Sequence, residues 1–351
     1  MVNMRAAMFQ GPNAKPMFTV EEAEKPKPKA NEVVVEVEAS ALCGTDLHIL
    51  DGTLLNKAYR QPPLIVGHEW AGTVVDLGSS AKKFEIGDRV FSAPSFSCGF
   101  CKFCLEGRSN LCDKRGVFGL HAPGSNAEYI AAPQESLYHL PKGISFKVGC
   151  LMGDTLGTAY HAIRRVQVQP GDIVALWGLG PVGMTIAQMA KVAGAAKVIA
   201  VDVVPSRLEQ ITNLGIADLA INSNEKDVVR EIKELTSGAG ADITIEATGV
   251  DQALGQAFDS LRKGGKLLLV GTHSKNFNLW SLAVMYREIS IIGTFAHVPV
   301  EAERFVNLVE SGRIKLEPLI THEFSLDEVN TAFELFIARR TNKVVLYPKK
   351  G

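Results

Sequence analysis

From residue 173 onward the chain alternates short apolar runs with longer amphipathic ones, and this alternation restricts the fold more than any other feature. Residues 173–177, 198–201, 219–221, 243–246, 266–270 and 289–294 read as strands. Residues 181–193, 205–214, 225–236 and 252–261 read as helices between them. Strands alternating with helices need crossover connections, which force parallel pairing and a doubly wound sheet. A helix over 300–310, a segment near 316–320, a helix over 326–339 and a strand over 343–347 close the chain. That tail is too short to form a domain alone and is expected to return to an earlier lobe. The first 150 residues instead show strand patterns at 32–38, 73–77 and 89–92, broken by Gly and Ser turn signals, after an extended Lys-Pro segment at 25–29. The expected class is α/β. One β-rich domain spans 1–154 and 296–351, and a doubly wound parallel-sheet domain is inserted at 155–295.

The first strand of the alternating region runs into Gly178-Leu179-Gly180-Pro181-Val182-Gly183, a G-x-G-x-x-G loop that opens a helix. The first glycine of such a loop allows the tight turn, the second lets backbone approach a diphosphate, and the third allows close helix–strand packing. The helix N-terminus adds partial positive charge. Asp202 ends the next strand, nineteen residues after Gly183. A carboxylate there can accept from the ribose hydroxyls of a dinucleotide and repels a 2′-phosphate, which selects NAD over NADP. Arg207 is a candidate for ribose or adenine contact, or equally a solvated helix charge.

Composition removes other classes of partner. Among 351 residues, 37 Lys and Arg oppose 38 Asp and Glu. No field of one sign exists to attract nucleic acid or an anionic membrane surface. No apolar run approaches the roughly 18 residues that span a bilayer, and the first twelve residues lack a signal-peptide core. The expectation is a soluble, cytoplasmic protein that acts on a small molecule.

Four of the six cysteines, Cys98, Cys101, Cys104 and Cys112, fall within fifteen residues, separated by two, two and seven. Four thiolates complete a tetrahedral shell, so this loop reads as a structural zinc site with no position open for substrate. An iron–sulfur cluster is the alternative, but the spacing fits neither common ferredoxin pattern.

Other chemistry-bearing residues are dispersed. Cys43, His68 and Asp154 could supply sulfur, nitrogen and oxygen to a catalytic zinc, which takes about three protein ligands and keeps one position open. Taken singly, each has a plainer reading: Cys43 as a small buried hydrophobe, His68 as a satisfied core histidine, Asp154 as a helix N-cap.

Taken together, C-G-T-D-x-H at 43–48, G-H-E-x-x-G at 67–72, G-D-R-V at 87–90, the cysteine loop, G-x-G-P-V-G at 178–183 and I-G-T-F at 292–295 resemble the zinc-dependent medium-chain alcohol dehydrogenases. The polyol (sorbitol-type) and threonine dehydrogenases belong to that group, and the resemblance runs nearly the whole length. It implies a GroES-like catalytic domain with an inserted Rossmann domain, and two zinc ions per chain. Cys43, His68 and Asp154 would bind the catalytic one. Asp154 stands where ethanol-type members often carry Cys, which makes the third ligand a harder donor.

The resemblance further implies that Glu69 lies beside the metal, that Thr45 accepts the substrate proton, and that His48 ends the relay to solvent. Thr158 would lie near the nicotinamide, with backbone around Gly271 and Thr294 at its carboxamide. The implied reaction is hydride transfer from a secondary alcohol or polyol to NAD, giving a ketone. Threonine or an aldose are alternative substrates, and a non-catalytic redox sensor is the reading from another class. Leu47, Tyr59, Trp70 and His121 are candidates for the substrate lining. A homotetramer, or a homodimer, is expected, with the last strand of the inserted sheet as an open edge.

Overall fold

The structure, a computed structural model, describes residues 2–55, 61–272 and 279–349. The chain divides into two compact units, Met1–Gly157 with Ala296–Gly351, and Thr158–Phe295.

Strands are numbered in chain order. In the first unit, β1 (Asn3–Phe9), β2 (Phe18–Glu24) and β4 (Leu64–Ile65) form an antiparallel sheet ordered β2-β1-β4. A larger sheet is built on β3 (Glu32–Ala41), which pairs with β5 (Glu69–Leu77), β9 (Tyr129–Pro133) and β18 (Lys343–Tyr347). Further strands continue it: β6 (Arg89–Ser92) and β10 (Leu137–His139) on one side, β17 (Ile320–Ser325) on the other. Val33, Val34, Val35 and Val37 are all buried. That is why the sequence shows a near-continuous apolar run there rather than strict alternation. A short pair, β7 (Ser95–Phe96) and β8 (Gly116–Val117), flanks the cysteine loop.

The tail completes this unit. Leu346 pairs with Ser40 across β18 and β3. Phe333, on the helix Val329–Ile337, stacks on Phe18 with ring centroids 4.5 Å apart. Both tail helices start later than their apolar patterns, because each opens with a tight turn, Pro299–Glu301 and Leu326–Glu328, before the α-helix proper.

The second unit is a six-stranded, wholly parallel sheet: β11 (Ile173–Trp177), β12 (Lys197–Asp202), β13 (Leu219–Asn222), β14 (Ala241–Glu246), β15 (Leu261–Leu269) and β16 (Ser290–Gly293). Their order is β13-β12-β11-β14-β15-β16, so the winding reverses between β11 and β14. In such sheets ligands bind outside the carboxyl ends of the strands at that reversal. The helix expected from residue 225 begins at Val228, because the Asp227 side chain accepts from the Arg230 N–H (3.1 Å) and caps it there. Among the described residues no helix is long and apolar enough to cross a membrane.

Candidate active site

The first cluster grows from three turns of the first unit. β3 ends at Ala41, and Cys43 occupies the N-cap of the helix Gly44–Leu50. The side chain of Asp46, in the first turn, accepts from the Cys43 N–H (2.9 Å) and fixes that entry. His68 and Glu69 lead into β5, and both are buried. Asp154 lies in the wide turn Met152–Leu156, one residue before Thr155; it is not the N-cap that its position before a helical pattern suggests.

One donor atom from each of Cys43, His68, Glu69 and Asp154 lies within 4.8 Å of every other. The Cys43 Sγ is 3.3 Å from Asp154 Oδ2, and His68 Nε2 is 3.7 Å from the same oxygen. Zinc bonds of 2.0–2.3 Å in a tetrahedron place such atoms about 3.3–3.5 Å apart, so the donor set fits one ion. The far nitrogen of His68, Nδ1, is 3.3 Å from the buried Asp46 Oδ1 without hydrogen-bond alignment. This carboxylate–imidazole pairing turns Nε2 toward the cluster.

Electrostatics match an acid-rich cluster. Burial pushes the Cys43 thiol up to about 11, with Asp154 adding to it. Burial would lower His68, but Asp46 and Cys43 hold it well above its usual value. Burial pushes Glu69 up to about 7 against the opposing pull of Lys343. Asp154 is held well below the usual carboxylate range, where its contacts with His68 outweigh burial.

Glu69 is tied on both oxygens. Lys343 Nζ donates to Oε1 (2.6 Å) and to the Leu42 carbonyl (3.0 Å), while the Thr155 hydroxyl donates to Oε2 (3.1 Å). Thr45 Oγ1 lies 3.8 Å from Cys43 Sγ. His48, later on the same helix, is partly exposed, with Nδ1 3.8 Å from Asp51.

Asp46, Thr155 and Lys343 were absent from the sequence reading. Asp46 stands within the quoted C-G-T-D-x-H motif and at the third position of a helix, a position that favours acids. A lysine opening an otherwise apolar strand, K-V-V-L, was the signal for a buried cation with a partner.

The cysteine loop forms a second cluster, its four sulfurs likewise mutually within 4.8 Å. Separations of 3.5 Å (Cys98–Cys112), 3.6 Å (Cys101–Cys104) and 4.0 Å (Cys98–Cys104) bracket the roughly 3.8 Å expected across a zinc tetrathiolate. Backbone N–H groups of Cys98 and Lys114 point at Cys112 Sγ, both at 3.3 Å. Backbone N–H bonds from Cys104 and Asp113 draw Cys101 down to about 6, whereas burial pushes Cys112 up to about 11.

In the second unit the glycine loop leaves β11 and opens the helix Pro181–Val192, with Gly180 as N-cap. A Cβ on Gly183 would collide with the Gly178 carbonyl, so only glycine brings the helix this close to the strand. Asp202 is buried and already engaged. Oδ2 accepts from the Leu179 N–H (2.6 Å), and Oδ1 from Val203 (2.7 Å) and Val204 (2.9 Å). Its carboxylate therefore knits the glycine loop to the end of β12. Arg207 Nη1 lies 3.9 Å from it. Thr158 is in the first turn of the helix Gly157–Val166, and Gly271 follows β15. Thr294 follows β16, and its hydroxyl is buried with no hydrogen-bond partner among the described residues. An orphaned hydroxyl at the carboxyl end of a parallel strand fits a polar ligand group.

The expected substrate lining needs correction at Trp70. It is fully buried, edge-on to Phe118 at 5.9 Å, because β5 turns it into the core of the sheet. Leu47 packs against another core cluster, and His121 Nδ1 accepts from the Val117 N–H. Tyr59 lies outside the described residues.

Residues 29–142 match the alcohol dehydrogenase GroES-like domain, and residues 181–311 the zinc-binding dehydrogenase family. A sorbitol dehydrogenase of Halalkalibacterium halodurans is 34% identical over 336 residues, covering 94% of this chain and 96% of that protein. An L-threonine 3-dehydrogenase of Pyrococcus horikoshii is 33% identical over 331 residues, covering 93% and 94%. The solved alcohol dehydrogenase TADH from Thermus sp. ATN1 superposes with a TM-score of 0.91 at 31% identity, covering 98% of this chain and 99% of that one. With two cysteine-bearing donor clusters in one unit and a glycine loop on a parallel sheet in the other, the chain belongs to the zinc-binding alcohol dehydrogenase family, oxidoreductases that act on CH–OH groups.

Proposed function

We propose that this protein oxidises a secondary alcohol or polyol with NAD, using one catalytic and one structural zinc per chain. The observation that carries the reading is the convergence of Cys43, His68 and Asp154, from three separate stretches of sequence, within 4.8 Å. When bound there, zinc supplies a Lewis acid that lowers the pKa of an alcohol oxygen, and NAD supplies the hydride acceptor.

The chain's own residues do the rest. Cys43, His68 and Asp154 hold the metal; Asp46 sets the imidazole. Lys343 and Thr155 keep the Glu69 carboxylate beside this shell. Thr45 takes the substrate proton at Oγ1, and the half-exposed His48 imidazole delivers it to solvent. Gly178, Gly180, Pro181, Val182 and Gly183 cradle the diphosphate, and Asp202 faces the adenosine ribose, where its charge disfavours a 2′-phosphate. Arg207 flanks the same ribose, Thr158 stands near the nicotinamide, and Gly271 and Thr294 take its carboxamide. Cys98, Cys101, Cys104 and Cys112 hold the structural zinc.

A homotetramer is supported by β16, a sheet-edge strand whose Ile291 is exposed, and by the exposed Trp280, Met285 and Tyr286 before it. A cytoplasmic site is supported by five of the six cysteines standing in donor clusters that require reduced thiols. The similarity to an L-threonine dehydrogenase favours an amino alcohol as the second reading.

The test is an initial-rate screen of diols, polyols, threonine and aldoses with NAD and with NADP, before and after metal removal. NAD-linked oxidation of a secondary alcohol that disappears with the metal supports the reading. Turnover indifferent to chelation, or a preference for NADP, contradicts it.

A further inference from the structure

The second unit carries a buried acid that the proposed chemistry does not use. Glu246 ends β14, beside Trp177 of β11, at the point where the sheet reverses its winding. Its side chain is fully buried. Oε1 accepts from the Thr248 N–H (2.6 Å), from the Thr248 hydroxyl, and from the Gly249 N–H (3.0 Å), while Oε2 is 3.3 Å from the Gly249 N–H. Its backbone carbonyl accepts from Val270 (2.8 Å) and Gly271 (3.0 Å). The turns after β14 and β15 are thereby locked together. A Cβ on Gly271 would meet Glu246 Oε2 at 2.7 Å and collide with the Gly249 nitrogen, and one on Gly249 would collide with the Thr272 carbonyl.

Two crossovers leave the sheet at this reversal, and each turns into a helix. After β11 the glycine loop gives its Leu179 N–H to Asp202 (2.6 Å) and keeps the open N-terminus of the helix that starts after Gly180 for a ligand. After β14 two successive N–H groups, of Thr248 and Gly249, are both turned inward onto the Glu246 carboxylate. An anion cradle that would otherwise stand at this second turn is thus filled from within. In a doubly wound sheet each half takes one mononucleotide, and Asp202 places adenosine on the β11–β13 half. The half braced by Glu246 is then the one that receives the nicotinamide mononucleotide.

We propose that Glu246 is a positioning residue which, by drawing in the Thr248–Gly249 backbone and locking it against Gly271, shapes the nicotinamide half of the cofactor site and leaves the diphosphate to the glycine loop. This rests on the NAD reading above. Glu246→Gln keeps the volume but faces an N–H group with an amide donor. Thr248→Val removes one donor and leaves the backbone alone.

The experiment measures NADH and AMP dissociation constants by calorimetry for the wild type and both variants, with KM and kcat for NAD alongside. Loss of one charge-assisted hydrogen bond predicts NADH binding weaker by at least about tenfold in Glu246→Gln. AMP binding stays within about twofold and KM rises more than kcat falls, because the adenosine half is untouched. Thr248→Val shifts NADH in the same direction by about threefold. NADH affinity unchanged in both variants overturns the proposal, as does a loss shared equally by NADH and AMP. A wild type that binds AMP but no NADH overturns the NAD reading and this inference with it.

Discussion

Removing Lys343 tests how the interior of the first unit holds its charges. The ammonium is buried, 2.6 Å from Glu69 Oε1 and 3.0 Å from the Leu42 carbonyl. In Lys343→Met the alkyl stem is replaced at similar volume, so the loss is one of charge and hydrogen bonds rather than packing. Glu69 is left in the core with the Thr155 hydroxyl as its remaining donor at Oε2. Breaking a buried ion pair from one side costs about 3–5 kcal/mol, of which the Leu42 carbonyl accounts for about 1 kcal/mol. For a chain of this size about 2 °C of melting temperature accompanies each kcal/mol, which predicts a fall of roughly 6–10 °C.

Glu69→Gln strands the lysine and should cost a comparable amount. The double variant Lys343→Met/Glu69→Gln buries no net charge. It should be more stable than the sum of the single losses by at least about 2 kcal/mol, with the Leu42 contribution unrecovered. Urea denaturation of the zinc-loaded proteins, followed by circular dichroism, gives all four corners of the cycle. Single losses below about 1 kcal/mol, or strict additivity, would refute the reasoning.

Asp202→Asn should lower the NAD-over-NADP ratio of kcat/KM by at least about tenfold, since the charge that repels a 2′-phosphate is gone. The same variant should lose about 1–2 kcal/mol of stability, because three backbone N–H groups bind that carboxylate; an unchanged cofactor ratio would remove Asp202 from ribose recognition. Glu36 is lowered despite partial burial, by hydrogen bonds from Lys349 and Tyr129. A depressed carboxyl stabilises the fold above its unfolded value and loses that contribution as pH falls through the folded one. Glu36→Gln should therefore cost at most about 1 kcal/mol at pH 7. Its gap to wild type should close as the pH drops below about 4.5, the ordinary glutamate value; a gap that widens in acid would contradict the assignment.

What the sequence disclosed follows the range of the interactions. The parallel sheet was legible because each strand, turn and helix is a local period, and β11 begins and ends where its apolar run does. β15 was mis-bounded, since its first half, Arg262-Lys263-Gly264-Gly265, carries no apolar run and pairs with β14 only through an irregular register. In the first unit β1, β2, β4, β7, β8, β9, β10 and β17 went unread as strands, their pairing being set by partners as remote as β3 with β9. The cysteine loop was readable from spacing alone. The Cys43–His68–Asp154 site was not: Cys43 and Asp154 are 111 residues apart, and only a resemblance to known dehydrogenases brought them together in advance. Lys343 acquires its part only once the last strand lies against β3, and Thr155 only once its turn meets the start of β5.

Zinc content is the most direct test of the central claim that three distant side chains share one ion. Wild-type protein purified without chelator should carry about two zinc ions per chain by mass spectrometry of the metal. Cys43→Ala and Asp154→Asn should each carry about one, with NADH binding retained. Two ions in either variant, or one in the wild type with the cysteine loop accounting for it, would contradict the account.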